Sequence, residues 1–356
     1  MNNNHQRDLK QQWQSLLQSE PKLRIRNAAE KLGVSEADLL ATQIGEQVTL
    51  LAGDFKKLLT EIESLGVVMA LTRNDAIVHE KTGQYKDLSI HGNMGLALGV
   101  IDLRLFFSRF VHGFYVQEPL EQGARRSIQF FNAQGEAVHK IYAKEGTDLS
   151  ELDDLVQRYR AEQQQAPQIS PASVAEDLLT LPADLNTAEF RQGWDELKDV
   201  HHFQALLKKH SLARIPAYQT IGSDYAIPLN LLAFEKALEK AVDKQQSIMV
   251  FVGSDGVVQI HTGVIHKLLR TGSWFNILDP GFNLHANTEM IDQLWLVRKP
   301  TSDGIITSIE AFDADGKQLV LLFGERENGK PEMHSWRELL QELIAEYSLE
   351  PEHVNA

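Results

Sequence analysis

Gly66-Val67-Val68-Met69-Ala70-Leu71-Thr72-Arg73-Asn74-Asp75-Ala76-Ile77-Val78-His79-Glu80 reads as a buried strand, a turn and a returning strand. Working outward, the same pattern recurs far down the chain. Met69…Gly83 matches Met249…Gly263 at an offset of 180. Trp13 and Leu16 are answered by Trp194 and Leu197 at 181, and Ile44-Gly45 by Ile221-Gly222 at 177. Leu103-Arg104 pairs with Leu284-His285, and Ser127-Ile128…Phe131…Gly135 with Ser308-Ile309…Phe312…Gly316, both at 181. A period this long that drifts by so little marks a duplicated domain rather than a solenoid.

Each copy carries its helices before its strands. Leu9, Trp13, Leu16 and Leu17 give a helix closed by Pro21, and a second helix covers 23–32. Ser35 with Asp38 forms a capping box for a third. Strands follow at 101–107, 110–117, 126–132 and 137–143, then a helix over 149–163. In the first of these, Ile101, Leu103, Leu105 and Phe107 share one face, and Asp102, Arg104 and Phe106 the other. The closing helix of the second copy carries Trp336, Leu339, Leu340, Leu343 and Ile344. Helices, then mostly antiparallel strands, then a closing helix make the class α+β. A Pro/Gln/Ala-rich stretch, 164–187, separates an N-terminal repeat, 1–163, from a C-terminal one, 188–356.

Composition narrows the chemistry. With no cysteine among 356 residues, disulfides, thiolate zinc sites, iron–sulfur clusters and covalent c-type haem are excluded, and a cytoplasmic location is the economical expectation. No apolar run reaches membrane-spanning length, and the N-terminus lacks the pattern of a signal peptide. A net charge of −14 disfavours non-specific binding to nucleic acid or anionic membranes. Any metal must be held by histidine or carboxylate, or arrive inside a cofactor.

Asp199-Val200-His201-His202-Phe203 supplies the first candidate. Asp199 is a good N-cap, and Val200, Phe203, Leu206 and Leu207 fall on one helical stripe. His202 borders that stripe, whereas His201 in the first turn points away from it. Cations that can hold carboxylates concentrate in the same repeat: Arg214, Lys299 and Arg326, each of which alone reads as a surface charge. Arg104 alone reads as a strand arginine paired with Asp102. Together, a helix-borne histidine, cationic anchors and apolar strand faces are the set that a b-type haem requires.

The chain resembles the HemS/ChuS/PhuS-type cytoplasmic haem-utilisation proteins. The likeness rests on Leu71-Thr72-Arg73-Asn74, Val78-His79-Glu80, Ile101-Asp102-Leu103-Arg104 and Ser127-Ile128-Gln129-Phe130-Phe131 in the first repeat. In the second it rests on Asp199-Val200-His201, Met249-Val250-Phe251-Val252-Gly253, Gln259-Ile260, Thr262-Gly263, Arg298-Lys299-Pro300-Thr301, Thr307-Ser308 and Phe323-Gly324. The resemblance implies two large antiparallel sheets in a sandwich-like core flanked by helices. It implies haem b held in a cleft, with His201 as the proximal iron ligand and Arg104 as a distal, catalytic residue. Arg214, Lys299 and Arg326 become propionate or cleft contacts, and Met249 an apolar wall. Two departures stand out: His285-Ala286-Asn287 where the family often has His-Leu-Arg, and Phe323 where some members have Tyr. The implied partners are haem, an inner-membrane haem importer and a haem oxygenase or reductase, with a homodimer left open.

Three functions compete at this stage. A haem carrier and an enzyme that opens the macrocycle need the same His, Arg and cations. No Gly-x-Gly-x-x-Gly follows a strand, so an enzyme of this kind takes its electrons from outside. The third is a helix-turn-helix regulator, from Ala28 to Leu40; its would-be recognition helix carries Glu36 and Asp38 and no Lys or Arg.

Overall fold

The computed structural model describes residues 3–171, 177–327 and 329–349; part of the expected linker, 172–176, lies outside them. In the N-terminal half, α1 (Asn3–Ser19), α2 (Ile25–Leu32) and α3 (Glu36–Ala41) precede β1 (Val48–Leu51) and α4 (Phe55–Glu61). There follow β2 (Gly66–Arg73), β3 (Ile77–Gln84), β4 (Ser89–His91), β5 (Met94–Ala97), β6 (Asp102–Phe106), β7 (His112–Pro119), β8 (Ala124–Phe131) and β9 (Ala137–Thr147), closed by α5 (Leu149–Tyr159). The C-terminal half repeats the order. Its elements are α6 (Thr187–Asp195), α7 (His202–Lys209), α8 (Arg214–Ile221), β10 (Ala226–Leu229), α9 (Ala233–Asp243), β11 (Ile248–Gly253) and β12 (Val257–Gly263). They continue through β13 (Leu268–Thr271), β14 (Trp274–Asp279), β15 (Phe282–Asn287), β16 (Gln293–Thr301), β17 (Gly304–Phe312) and β18 (Gln318–Gly324) to α10 (His334–Tyr347).

The strands form two nine-stranded sheets. Within the first half the order runs β1-β7-β8-β9-β2-β3 and β6-β5-β4; within the second, β10-β16-β17-β18-β11-β12 and β15-β14-β13. Adding nine to each strand number of one half reproduces the other, so the duplication inferred from spacing is a duplication of topology. The architecture is α+β, with antiparallel sheets flanked by helices. The chain divides into two compact units that follow the halves except at two turns: residues 74–78 belong to the second unit and 253–259 to the first.

In the first unit, Leu58 and Leu59 of α4 and Leu152 and Leu155 of α5 bury themselves against Val68, Ala70, Ile128 and Ile141. Ile101, Leu103 and Leu105 are fully buried while Asp102, Arg104 and Phe106 are half-buried, the alternation read from the sequence. The capping box forms as expected: Asp38 N donates to Ser35 Oγ, and Ser35 N to the Asp38 carboxylate. All six residues of α3 are buried, so this helix has no free face to lay in a DNA groove.

In the second unit, Phe234 and Leu238 of α9 and Trp336, Leu339 and Leu343 of α10 cover one sheet face, against Val250, Leu296, Ile309 and Leu322. Trp336 comes down on β18 at Gly324, where a Cβ would sit 2.5 Å from its ring, and its Nε1 donates to Thr307 O at 3.1 Å. The opposite face receives α6, α7 and α8 through Phe190, Trp194, Phe203 and Tyr218, packed on Trp295, Val297 and Phe312. That second face carries the candidate site.

Candidate functional site

Helix α7 begins two residues later than its sequence implies. His201 is the N-cap, in helical φ/ψ, and the segment before it is a turn in which His202 N donates to Asp199 O and Phe203 N to Val200 O. The Asp199 side chain accepts from the amide two residues on, at 2.8 Å from His201 N, the contact that Asp54 and Asp148 make at the starts of α4 and α5. The same oxygen, Oδ1, lies 2.6 Å from His201 Nδ1. An ionised carboxylate only accepts, so Nδ1 carries the proton. The Asp199 carboxyl is held below its ordinary range, first by the His201 amide and then by the ring. The His201 ring is 84% exposed, and its Nε2 has no partner among the described residues. His202 is exposed as well, so burial does not separate the two histidines; the carboxylate on His201 does.

Behind α7 stands a buried ion cluster, not the surface charges expected. Pro216, in the first turn of α8, needs no donor there and sets the helix start, with Arg214 as its first residue. Arg214 Nη1 donates to Tyr218 Oη one turn on at 3.0 Å, and to Glu310 Oε2 at 3.1 Å. Lys299 of β16 donates to Glu310 Oε1 at 2.6 Å, and Tyr218 Oη and Ser308 Oγ complete the shell of that carboxylate. Glu310 is fully buried. Burial alone would raise its pKa, but Lys299 and Arg214 outweigh burial and hold it at about 2. Two cations thus share one carboxylate. Burial pulls the Lys299 ammonium down, and Glu310 opposes this without cancelling it, while Arg214 adds to it. Both cations lie on the Phe203 ring, at 4.8 and 5.2 Å, and so fasten α7 two residues past His201.

The sheet continues this face with hydrocarbon. Directly paired residues share a face, and Ser308 pairs with Phe323, Glu310 with Leu321, Met249 with Phe323 and Phe251 with Leu321. Met249, Phe251, Leu321 and Phe323 are all half-buried, while Ile248, Val250 and Val252 alternate into the core. The Phe251 and Phe323 rings meet edge to face, 5.2 Å apart. A half-exposed aromatic strip therefore adjoins the ion cluster on one sheet face.

The remaining candidates stand apart. Arg326 is 3.7 Å from Asp303. The neighbouring Ser302 bonds Lys198 O through both its amide and its hydroxyl, which ties this loop to the chain just before Asp199. Arg104, in the first unit, is half-buried on β6 and ion-paired with Asp102, the pairing its sequence allowed. Burial raises the Asp102 pKa, and Arg104 only partly opposes that. His285 Nδ1 lies 2.7 Å from Asn276 Oδ1. Sequence reasoning missed Glu310 and Tyr218. A lone acid inside Ser308-Ile309-Glu310-Ala311-Phe312 was the available signal, because a carboxylate in an apolar strand needs cations.

Comparison with known proteins identifies the family. Residues 33–159 and 211–343 match the model of the haemin-degrading HemS.ChuX domain. The hemin transport protein HmuS of Yersinia pestis is 38% identical over 338 residues, 94% of this chain and 97% of that protein. HemS of Yersinia enterocolitica, also a hemin transport protein, is 37% identical over 89% of this chain and 92% of its own. Among solved structures, holo-PhuS, a heme-binding protein from Pseudomonas aeruginosa, superposes with a TM-score of 0.91 at 43% identity, covering 95% of this chain and 99% of that one. The heme-degrading enzyme ChuS of Escherichia coli O157:H7 gives 0.89 at 34%, with the same coverage. The chain belongs to the HemS/ChuX haemin-degrading domain family, as a tandem of two such domains.

Proposed function

We propose that this protein binds haem b through His201 and serves a bacterial haem-uptake system in the cytoplasm. It receives haem from an inner-membrane importer and passes it on, or opens it with electrons from an outside reductase. The observation that carries this reading is the Asp199–His201 pair, which protonates Nδ1 and leaves the Nε2 lone pair as the donor. The rest of the donor set fits. Arg214 and Lys299 exceed Glu310 by one positive charge, which suits a propionate, and Arg326 adds a further cation; Met249, Phe251 and Phe323 suit the hydrocarbon of the macrocycle. Bound haem supplies a redox-active iron and an oxidisable ring. The protein's own part is to hold and orient that ring, shield one side from water, and present the Arg104 guanidinium as distal donor. The names of the relatives, two of them transport proteins and one a heme-degrading enzyme, support both transfer and turnover. The repeat boundaries are proposed at 1–163 and 188–356, the first repeat supplying Arg104 and the second the iron ligand.

An absorbance titration with haemin tests this. Wild type and His202→Ala should give the same Soret band, and His201→Ala should lose it; a wild-type spectrum in His201→Ala overturns the assignment. Adding ascorbate with catalase separates the two outcomes, since a decaying Soret band with released iron means turnover and a stable band means carriage.

A further inference from the structure

We propose that Asp199 is a positioning residue for the iron ligand, one that selects His201 over its neighbour and makes its imidazole a stronger donor; this rests on the haem reading above. One carboxylate oxygen binds both the His201 amide, at 2.8 Å, and the ring Nδ1, at 2.6 Å. The first contact ends the turn before α7. The second fixes the tautomer and limits rotation about the ring's side-chain bonds, so Nε2 is presented in one orientation rather than several. A hydrogen bond from Nδ1–H to an anion also shifts electron density onto Nε2, which favours ferric over ferrous iron.

A capping role alone does not account for this geometry. A cap needs only the amide contact, whereas here the shorter contact is to the ring. His202 is exposed too, yet it makes no side-chain hydrogen bond among the described residues, so of two adjacent imidazoles only one is oriented. The other repeat shows the pair absent as a unit. At an offset of 177, Lys22 stands for Asp199 and Arg24 for His201, and Arg24 is likewise the N-cap of an eight-residue helix.

The test uses the full chain reconstituted with haemin, as wild type, Asp199→Asn and Asp199→Ser. Asn keeps the size and the acceptor but not the charge; Ser keeps a capping oxygen too short to reach the ring. Far-UV circular dichroism checks that α7 is retained. The expected results are a haemin affinity lower by about 10- to 100-fold in Asp199→Ser, and a ferrous iron–histidine stretch at lower frequency in both variants. The ferric/ferrous midpoint potential should rise, by about 59 mV for each tenfold loss of ferric preference. Adding His202→Ala to Asp199→Ser should remove ligation that has leaked to the second histidine. If both Asp199 variants keep the wild-type frequency and potential while His201→Ala loses its ligand, Asp199 is a helix cap only and this inference falls alone. If wild type takes up no haemin, the haem reading and this inference fall together.

Discussion

Helices α2 and α7 are the same element in two copies: each has eight residues, and their N-caps, Arg24 and His201, are 177 positions apart. The next helices, α3 and α8, begin with Glu36 and Arg214, again at matching places and of opposite charge. In the first copy Glu36 bonds Lys140 in a buried pair, with Arg73 and Arg26 near enough to help hold its carboxyl down. In the second, Arg214 and Lys299 share Glu310 two to one. The backbone of the duplication is kept while the charge at the helix start changes sign. One copy sets its carboxylate there, and the other sets a cation there, close to an exposed imidazole. That difference, rather than the fold, sets the proposed site apart from its counterpart.

The largest effect that would break this comparison concerns the iron ligand. His201→Ala should weaken haemin binding by roughly 100-fold or more, about 3 kcal/mol, in a spectroscopic titration. Arg24→His alone should add no second ligand, because Lys22 offers no carboxylate; a new six-coordinate spectrum would show that the copies differ less than their charges imply.

Next come the buried clusters. Glu310→Ala should cost about 3–5 kcal/mol in urea unfolding, the range for orphaning a buried charge. Glu36→Ala should cost a similar amount, because it strands the buried Lys140 and removes the carboxylate that attracts Arg73 beside it. A much smaller loss at Glu310 would mean that Lys299 and Arg214 do not depend on it.

Acid separates the copies further. His139, in the first, bonds Thr72 and Tyr85 and is held by burial at about 3, against an ordinary 6.5. A depressed folded pKa gives stability that is complete above the unfolded value and is lost on descending to the folded one. His139 therefore acts over pH 6.5 to 3, and Glu310 over 4.5 to 2, the latter contributing about 3 kcal/mol. Amide hydrogen exchange should rise first in the N-terminal repeat on going below pH 6.5, and His139→Gln should flatten that onset.

The smallest effect is at Arg104. Its pair with Asp102 is partly exposed, so Arg104→Ala should change stability by less than about 1 kcal/mol. The spectrum of a distal ligand such as cyanide should change in the haemin complex; an unaltered spectrum removes Arg104 from the site.

Much of this was legible without coordinates. Alternation at Ile101–Phe107, the Ser35–Asp38 box and the 180-residue offsets encode strands, a helix start and the duplication, because they depend on local periodicity and local hydrogen bonds. The arrangement before α7 was harder. Asp199 makes the amide contact of an ordinary cap and also bonds the ring of His201, and that second contact has no signature in the sequence. Arg214 and Lys299 were read as surface charges because nothing near them in sequence neutralises them. Their counter-ion, Glu310, is 96 residues from one and 11 from the other, across a β-pairing.

The sequence by itself determined the α+β class, the repeat and the family, since each rests on periodicity, spacing or short motifs, and it singled out His201 as the candidate that the proposal carries. Only the tertiary structure decided that two apparently solvated cations, Lys299 buried and Arg214 half-buried, share one buried carboxylate beneath Phe203, and that Met249, Phe251, Leu321 and Phe323 form a single strip. Those facts depend on strand register and on which helix covers which face. A side chain's charge can be read from the chain, but its dielectric surroundings and its partner are set by residues that folding brings to it.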